Sequence, residues 1–193
     1  MSRLLGKEYD GDEIPYTPQD RRSVVIINDQ IYRHKVLRVN YTTYDMRRGQ
    51  DSINPRTHSD IMVLSSETED DPSSSHPYWY ARVIGVFHAK VRHRGPLSQT
   101  LEPQHMEFLF VRWFGRDISW KSGWKAQHLH RVEFIPGEED SAFGFINPDQ
   151  VIRGVHLIPA FSLGRTEDLL PPSVIARSPN EKHSNWQMYY VGM

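Results

Sequence analysis

The stretch Tyr78–Arg92 (YWYARVIGVFHAKVR) alternates two chemical faces for longer than an ordinary strand, and no other feature narrows the fold as much. Tyr78, Tyr80, Arg82, Ile84, Val86, His88, Lys90 and Arg92 fall on one side, opposed to Trp79, Ala81, Val83, Gly85, Phe87, Ala89 and Val91. A period of two residues marks an extended chain, whose successive Cβ atoms point to opposite faces. A bend or bulge is expected near Gly85 in so long a strand. Met106–Phe114 (MEFLFVRWF) repeats the pattern, with Met106, Phe108, Phe110, Arg112 and Phe114 set against Glu107, Leu109, Val111 and Trp113. Together the two read as a broad hairpin.

Shorter runs extend the β reading. Ser23–Asn28, Lys35–Tyr44, Asp60–Ser65, Leu129–Ile135 and Gly154–Pro159 each read as a strand, with a turn at Asn28-Asp29-Gln30. Asn147-Pro148 predicts one capped helical turn, and Trp186–Val191 a last edge strand or a packed tail. Asp45–Ser59 is poor in apolar residues and reads as a long connection; Ser65–His76 is acidic, serine-rich and reads as an exposed loop. Helical periodicity is nearly absent. The expected fold is therefore mainly β, a small barrel or sandwich of six to seven strands with long irregular loops and little helix. The expected organisation is a flexible lead-in over 1–22, the β domain over 23–163, and a proline-interrupted tail over 164–193.

Composition narrows the chemistry. The chain has no cysteine, which excludes disulfides, thiolate zinc sites and cysteine nucleophiles. No apolar run suggests a membrane span, and the first residues lack the apolar core of a signal peptide, so an intracellular protein is expected. The formal net charge of −1 conceals acidic ends and a basic centre. No phosphate-cradling glycine loop, nucleophile elbow or paired-carboxylate spacing is present, so no catalytic residue and no cofactor is assigned.

Three sets of residues could carry a function. Tyr78, Trp79, Tyr80, Trp113, Phe114, Trp120 and Trp124 crowd the ends of the two long strands, where ring faces can hold a quaternary ammonium or stack unpaired bases. Alternation assigns most of them to a core, whereas Trp120 and Trp124 lie in polar sequence. The polar cluster Asp45–Asp60 reads as an anion-binding loop, as a catalytic loop with a carboxylate base, or as a surface loop closed by Asx turns. His128-Leu129-His130 places two imidazoles on one side of a strand, as a metal site would want. Glu133, three positions beyond His130, would face the other way, and no metal ligand set is assigned.

Tyr80-Ala81-Arg82-Val83 followed by Val111, Trp113, Phe114 and Arg116 resembles bromo-adjacent homology (BAH) domains, β-rich barrels that read chromatin proteins. Beyond Arg116 this chain carries SWKSGW (119–124), where those domains continue with an acidic strand-forming segment. Residues 34–64, 76–89 and 143–161 are similar to a group of uncharacterised proteins of mushroom-forming fungi, whose like segments often end Plavaka-type transposon polyproteins. That likeness implies a nuclear or DNA-associated setting and a fragment of a longer chain.

The resulting expectation is a non-enzymatic BAH-like module in a chromatin or transposon nucleoprotein, nuclear rather than cytoplasmic. It would bind a protein tail or nucleoprotein through Tyr78, Arg82, Trp113, Arg116, Trp120 and Trp124. The alternative is a nucleic-acid-binding accessory domain using Arg47, Arg48, Lys90, Arg92, Arg94, Lys121 and Lys125. A metal-dependent β-barrel enzyme through His128 and His130 stands third.

Overall fold

A computed structural model describes residues 16–43, 45–65, 76–95, 98, 100–177 and 184–192. It is 54% strand and 9% helix. After a short helix α1 (Pro18–Arg22), closed at its start by a Thr17–Asp20 capping box, thirteen strands follow among the described residues. They are β1 (Val24–His34), β2 (Leu37–Thr42), β3 (Arg48–Ile53), β4 (Asp60–Leu64), β5 (Tyr78–His93), β6 (Gln104–Arg116) and β7 (Arg131–Phe134). The remainder are β8 (Phe143–Ile146), β9 (Val151–Gly154), β10 (His156–Pro159), β11 (Arg165–Thr166), β12 (Asn185–Trp186) and β13 (Tyr189–Gly192).

The chain divides into two compact units, Met1–His34 with Phe87–Phe108 and Lys35–Val86 with Leu109–Met193. In the smaller unit β1 pairs with β5. One face is apolar: Ala89 and Val91 are buried against Val24, Ile26, Met106 and Phe108. The expected turn appears inside β1, where Asn28 and Asp29 both take a left-handed φ, of 59° and 52°. Asn and Asp tolerate that region because their short polar side chains bond locally.

The larger unit contains a sheet in the order β10-β13-β7-β6-β5-β4-β9, with β8 paired to β6. Its middle strands are covered on both faces. On one side Ala81, Val83, Leu109 and Val111 pack with Ile61, Val63, Val151, Val39 and Ile53. On the other, Tyr80 and Phe114 pack with Met62, Val132, Phe134, Leu157, Tyr189 and Val191. This two-sided burial fits a sandwich-like class.

The barrel expected from the BAH likeness is not closed. β9 and β10 stand at opposite ends of the sheet order, although Val155 alone separates them in sequence. One residue is too few for a tight hairpin, which needs at least two, so the strands follow one another around a corner instead of pairing. The Val155 amide instead bonds the Asp60 carbonyl at 2.9 Å.

The connection expected over Asp45–Ser59 is replaced by β3, paired residue for residue with β2 from Leu37↔Ile53 to Thr42↔Arg48. Hydrophobic alternation misses β3 because it is held by polar contacts, with Ile53 its one buried side chain. Gln50 donates to Asn40 at 2.8 Å, and Asp51 accepts from the Gly154 amide at 2.9 Å. Tyr41 lies across Gly49, where a Cβ would stand 2.7 Å from its ring. The expected turn after Asn147 is present as a 3-10 turn, Pro148–Gln150, whose capping box joins Asn147 and Gln150.

The loop expected at 65–76 falls mostly outside the described residues, as do residues 1–15 of the lead-in expected over 1–22, whose end forms α1. In the C-terminal stretch, β13 pairs with both β10 and β7, so the last strand is internal to the sheet and not at its edge. Arg112, fully buried on β6, donates to Asn185 Oδ1 at 3.3 Å and to the Leu169 carbonyl at 3.0 Å. Buried Arg177 donates to the same Asn185 oxygen at 2.7 Å and to the Leu170 carbonyl.

Hydrogen bonds to charged groups contribute about 1.5–3 kcal/mol each. Asn185→Ala is therefore expected to lower stability by about 3 kcal/mol in urea unfolding. Arg47→Ala, at an ion pair whose arginine side chain is 83% exposed, is expected to change it by less than about 0.5 kcal/mol.

Candidate functional site

Residues 117–131 join β6 to β7 as an ordered loop pinned at its base. The Arg131 guanidinium donates to Asp117 Oδ2 at 2.8 and 2.5 Å, and the Asp117 amide bonds the Arg131 carbonyl at 3.0 Å. Burial acts to raise the Asp117 carboxyl, but hydrogen bonds from Ser119 and Arg131 outweigh it and hold the group below its usual range. Burial likewise acts against the Arg131 charge, and Asp117 overcomes it. The same guanidinium stands 4.3 Å from the centre of the Trp120 ring. Trp120 Nε1 donates to the Leu129 carbonyl at 3.0 Å, and His128 stacks on the indole at 4.9 Å.

Above this base the loop narrows. The Gly123 amide bonds the His128 carbonyl at 2.8 Å, and the Ala126 amide bonds the Gly123 carbonyl at 3.1 Å. Gly123 and Gln127 take φ values of 93° and 53°, which lets the chain reverse around Trp124. Trp124 is 98% exposed, with exposed Lys125 beside it and exposed Lys121 on the rising side.

A second cluster lies where β5 begins. The rings of His76 and His130 are 4.3 Å apart, His76 Nε2 is 3.1 Å from the Tyr80 hydroxyl, and Tyr78 meets His76 edge-on. Burial, and then the neighbouring Tyr78, push the Tyr80 phenol up to about 12. Burial, reinforced by the positive charge of Arg116, lowers the His130 imidazole. Ser122 Oγ is 2.8 Å from His130 Nδ1. In a hydrolytic triad that nitrogen is held by a carboxylate while Nε2 serves the serine, so this pair has the wrong order for an activated nucleophile.

The expected six-residue surface separates into parts. Arg82 is internal: it forms a two-point ion pair with Asp60 at 2.7 and 3.1 Å, and its guanidinium lies 5.0 Å from the Phe134 ring centre. Trp113 packs on the core and meets Trp79 edge-on, with Gly144 against its indole. Both side chains are partly buried and are engaged by these internal contacts. Tyr78 and Arg116 are half-buried around His76 and His130, and Trp120 is half-buried in the loop base. Trp124 is the residue left wholly open.

The seven basic candidates fall in different units. Lys90 and Arg94 are exposed and Arg92 half-buried in the smaller one. Arg47 and Arg48 stand exposed at the start of β3, Arg47 paired with Asp45 at 3.0 Å, while Lys121 and Lys125 flank Trp124. His128 and His130 precede β7 and turn to different partners, Trp120 and Ser122. Among the described residues no three His, Asp or Glu side chains are arranged to hold a metal ion. No described helix is long and apolar enough to cross a membrane.

Sequence reasoning missed His76, Ser122, Arg131 and Tyr190, whose ring lies 6.2 Å from Trp120. None belongs to a local motif: Tyr190 and Arg131 meet through strand pairing, and Ser122 and His76 both meet His130. Comparisons with protein-family models, with characterised proteins and with solved structures give no match to this chain.

A histidine held below its ordinary 6.5 binds its proton more readily in the unfolded chain. Its contribution to stability is full above that value and is lost as pH falls through the folded-state pKa. His130 is expected to titrate below 6.5 by NMR. Arg116→Gln should move the midpoint up only part of the way, because burial is the larger cause.

Proposed function

We propose that this chain is a non-enzymatic binding module whose contact surface is the 117–131 loop, in a BAH-like chromatin or transposon nucleoprotein setting in the nucleus. The observation that carries the reading is Trp124, 98% exposed at the tip of a hydrogen-bonded turn between Lys121 and Lys125. A large apolar ring held in water on an ordered loop is a ready anchor, since its burial by a partner is favourable and little loop freedom remains to be lost. Trp120, braced by Arg131 and His128, supports the loop beneath it.

The partner is a flexible protein tail or a nucleic acid, and the local chemistry favours the second. A cage for a methylated ammonium surrounds its ligand with several rings, whereas stacking an unpaired base needs one open face and nearby cations. Trp124 with Lys121 and Lys125 supplies the latter set.

Titration of the protein with single-stranded DNA, followed by tryptophan fluorescence at two salt concentrations, tests this alternative; a histone-peptide array tests the protein-tail reading. For nucleic acid we expect steep weakening with salt, and a loss of about tenfold or more in Trp124→Ala, since base stacking contributes about 1–3 kcal/mol. Peptide binding lost in Trp124→Ala would favour the protein tail. Binding of either ligand that is unchanged in Trp124→Ala, or no binding at all, would overturn the assignment of the surface.

A further inference from the structure

The smaller unit carries a row of imidazoles opposite its apolar face. His34 ends β1, His88 lies in β5 and His105 in β6, on neighbouring strands. His34 Nε2 stands 2.5 Å from His88 Nδ1, with ring centroids 4.8 Å apart, and the His88 and His105 centroids are 4.6 Å apart. Tyr32 stacks on His88 at 4.8 Å and 9° and donates its hydroxyl to Gln30 at 2.7 Å. The charged neighbours of His88 are Lys90 on its own strand and Glu107 on β6, which reaches His105 Nε2 at 3.4 Å. On β1, Arg33 lies over Phe87.

Strands stand about 4.8 Å apart, so three rings taken one from each strand form a line and do not converge on a point. That explains why this row is not arranged as a metal site and leaves proton exchange as its available chemistry. Two ring nitrogens at 2.5 Å require one to carry a hydrogen and the other a lone pair. A neutral pair satisfies this, and so does a singly protonated one. A doubly protonated pair places two N–H groups and two charges face to face.

We propose that this row is a proton-sensitive latch: it holds the Gln30–His34 half of β1 in place at neutral pH and releases it when both His34 and His88 are protonated. The two halves of β1 differ in what else secures them. Val24–Ile27 is half-buried, with Val24 and Ile26 on the apolar cluster, while Asn28–His34 is exposed throughout. The second half has little burial to offset a lost side-chain contact. Glu107 and His105 set the field around the pair, the carboxylate favouring protonation and His105 and Lys90 opposing it.

Burial, then His105 and His34, hold His88 below the ordinary value of 6.5. A depressed folded-state pKa means that the latch contributes fully above 6.5 and fails as pH falls through the folded-state value.

Amide hydrogen exchange from pH 7.5 to 5, corrected for its intrinsic pH dependence, tests the latch. Protection over 31–34 is expected to fall by up to about tenfold per pH unit between 6.5 and the lower folded-state midpoint, the slope of one coupled proton, while Ala89–Val91 stays protected. His88→Phe keeps a ring beneath Tyr32 and should abolish the slope. The same slope in His88→Phe, or flat protection in the native protein, would overturn the proposal. So would an NMR titration midpoint for native His88 at or above 6.5, a readout that needs no variant to fold.

Discussion

The Arg112 guanidinium, wholly shielded from solvent, lies 3.9 Å from the centre of the Phe134 ring and donates to the Leu169 carbonyl and the Asn185 side chain. A charge in that position is costly unless it is hydrogen-bonded, and here both terminal nitrogens find acceptors. Both acceptors come from the proline-interrupted C-terminal stretch, which is thereby drawn onto β6. Arg177 binds the same Asn185 oxygen from the other direction. With that stretch in place, β13 inserts between β10 and β7 and contributes Tyr189 and Val191 to the core. The covering of β5 and β6 on that side depends on residues that composition alone would assign to a loose tail.

Covering both faces of the long strands changes the meaning of their polar residues. Arg82 is used within the core, against Asp60 and three aromatic rings. Trp113 fills space beside Gly144. The 117–131 loop, which carries Trp124, lies outside the strands so covered. Its base is held by the Asp117–Arg131 pair, and Trp124 stands exposed at its tip.

Strand-forming stretches were legible wherever packing and local pattern agreed: the strands at Leu37–Thr42, Tyr78–His93 and Gln104–Arg116 show alternation, and Asp60–Leu64 is a short continuous apolar run. The 3-10 turn after Asn147 was legible from Asn-Pro alone, because a cap and a fixed φ act within four residues. β3 was not, since RGQDSI is stabilised by cross-strand amides and carboxylates that carry no hydrophobic period. β8 (FGFI) was missed because Phe145 faces outward and is 69% exposed, so its aromatic run imitates a buried segment without being one. Of the candidate site, the isolation of Trp120 and Trp124 in polar sequence was a sound signal for leaving the core. It did not separate the braced ring from the open one.

By itself the sequence determined that this chain is built mainly of strands, that two long strands cover Tyr78–Arg92 and Met106–Phe114, and that cysteine chemistry is absent. These follow from residue type and from spacing of two, which any extended segment expresses without knowing its neighbours. The tertiary structure decided which arginines are buried, that the sheet stays open at β9 and β10, that Trp124 is open to solvent while Trp113 is partly buried, and that His34, His88 and His105 form a row. Each of those is a relation between strands distant in sequence, set by pairing order and register, and no local pattern encodes either.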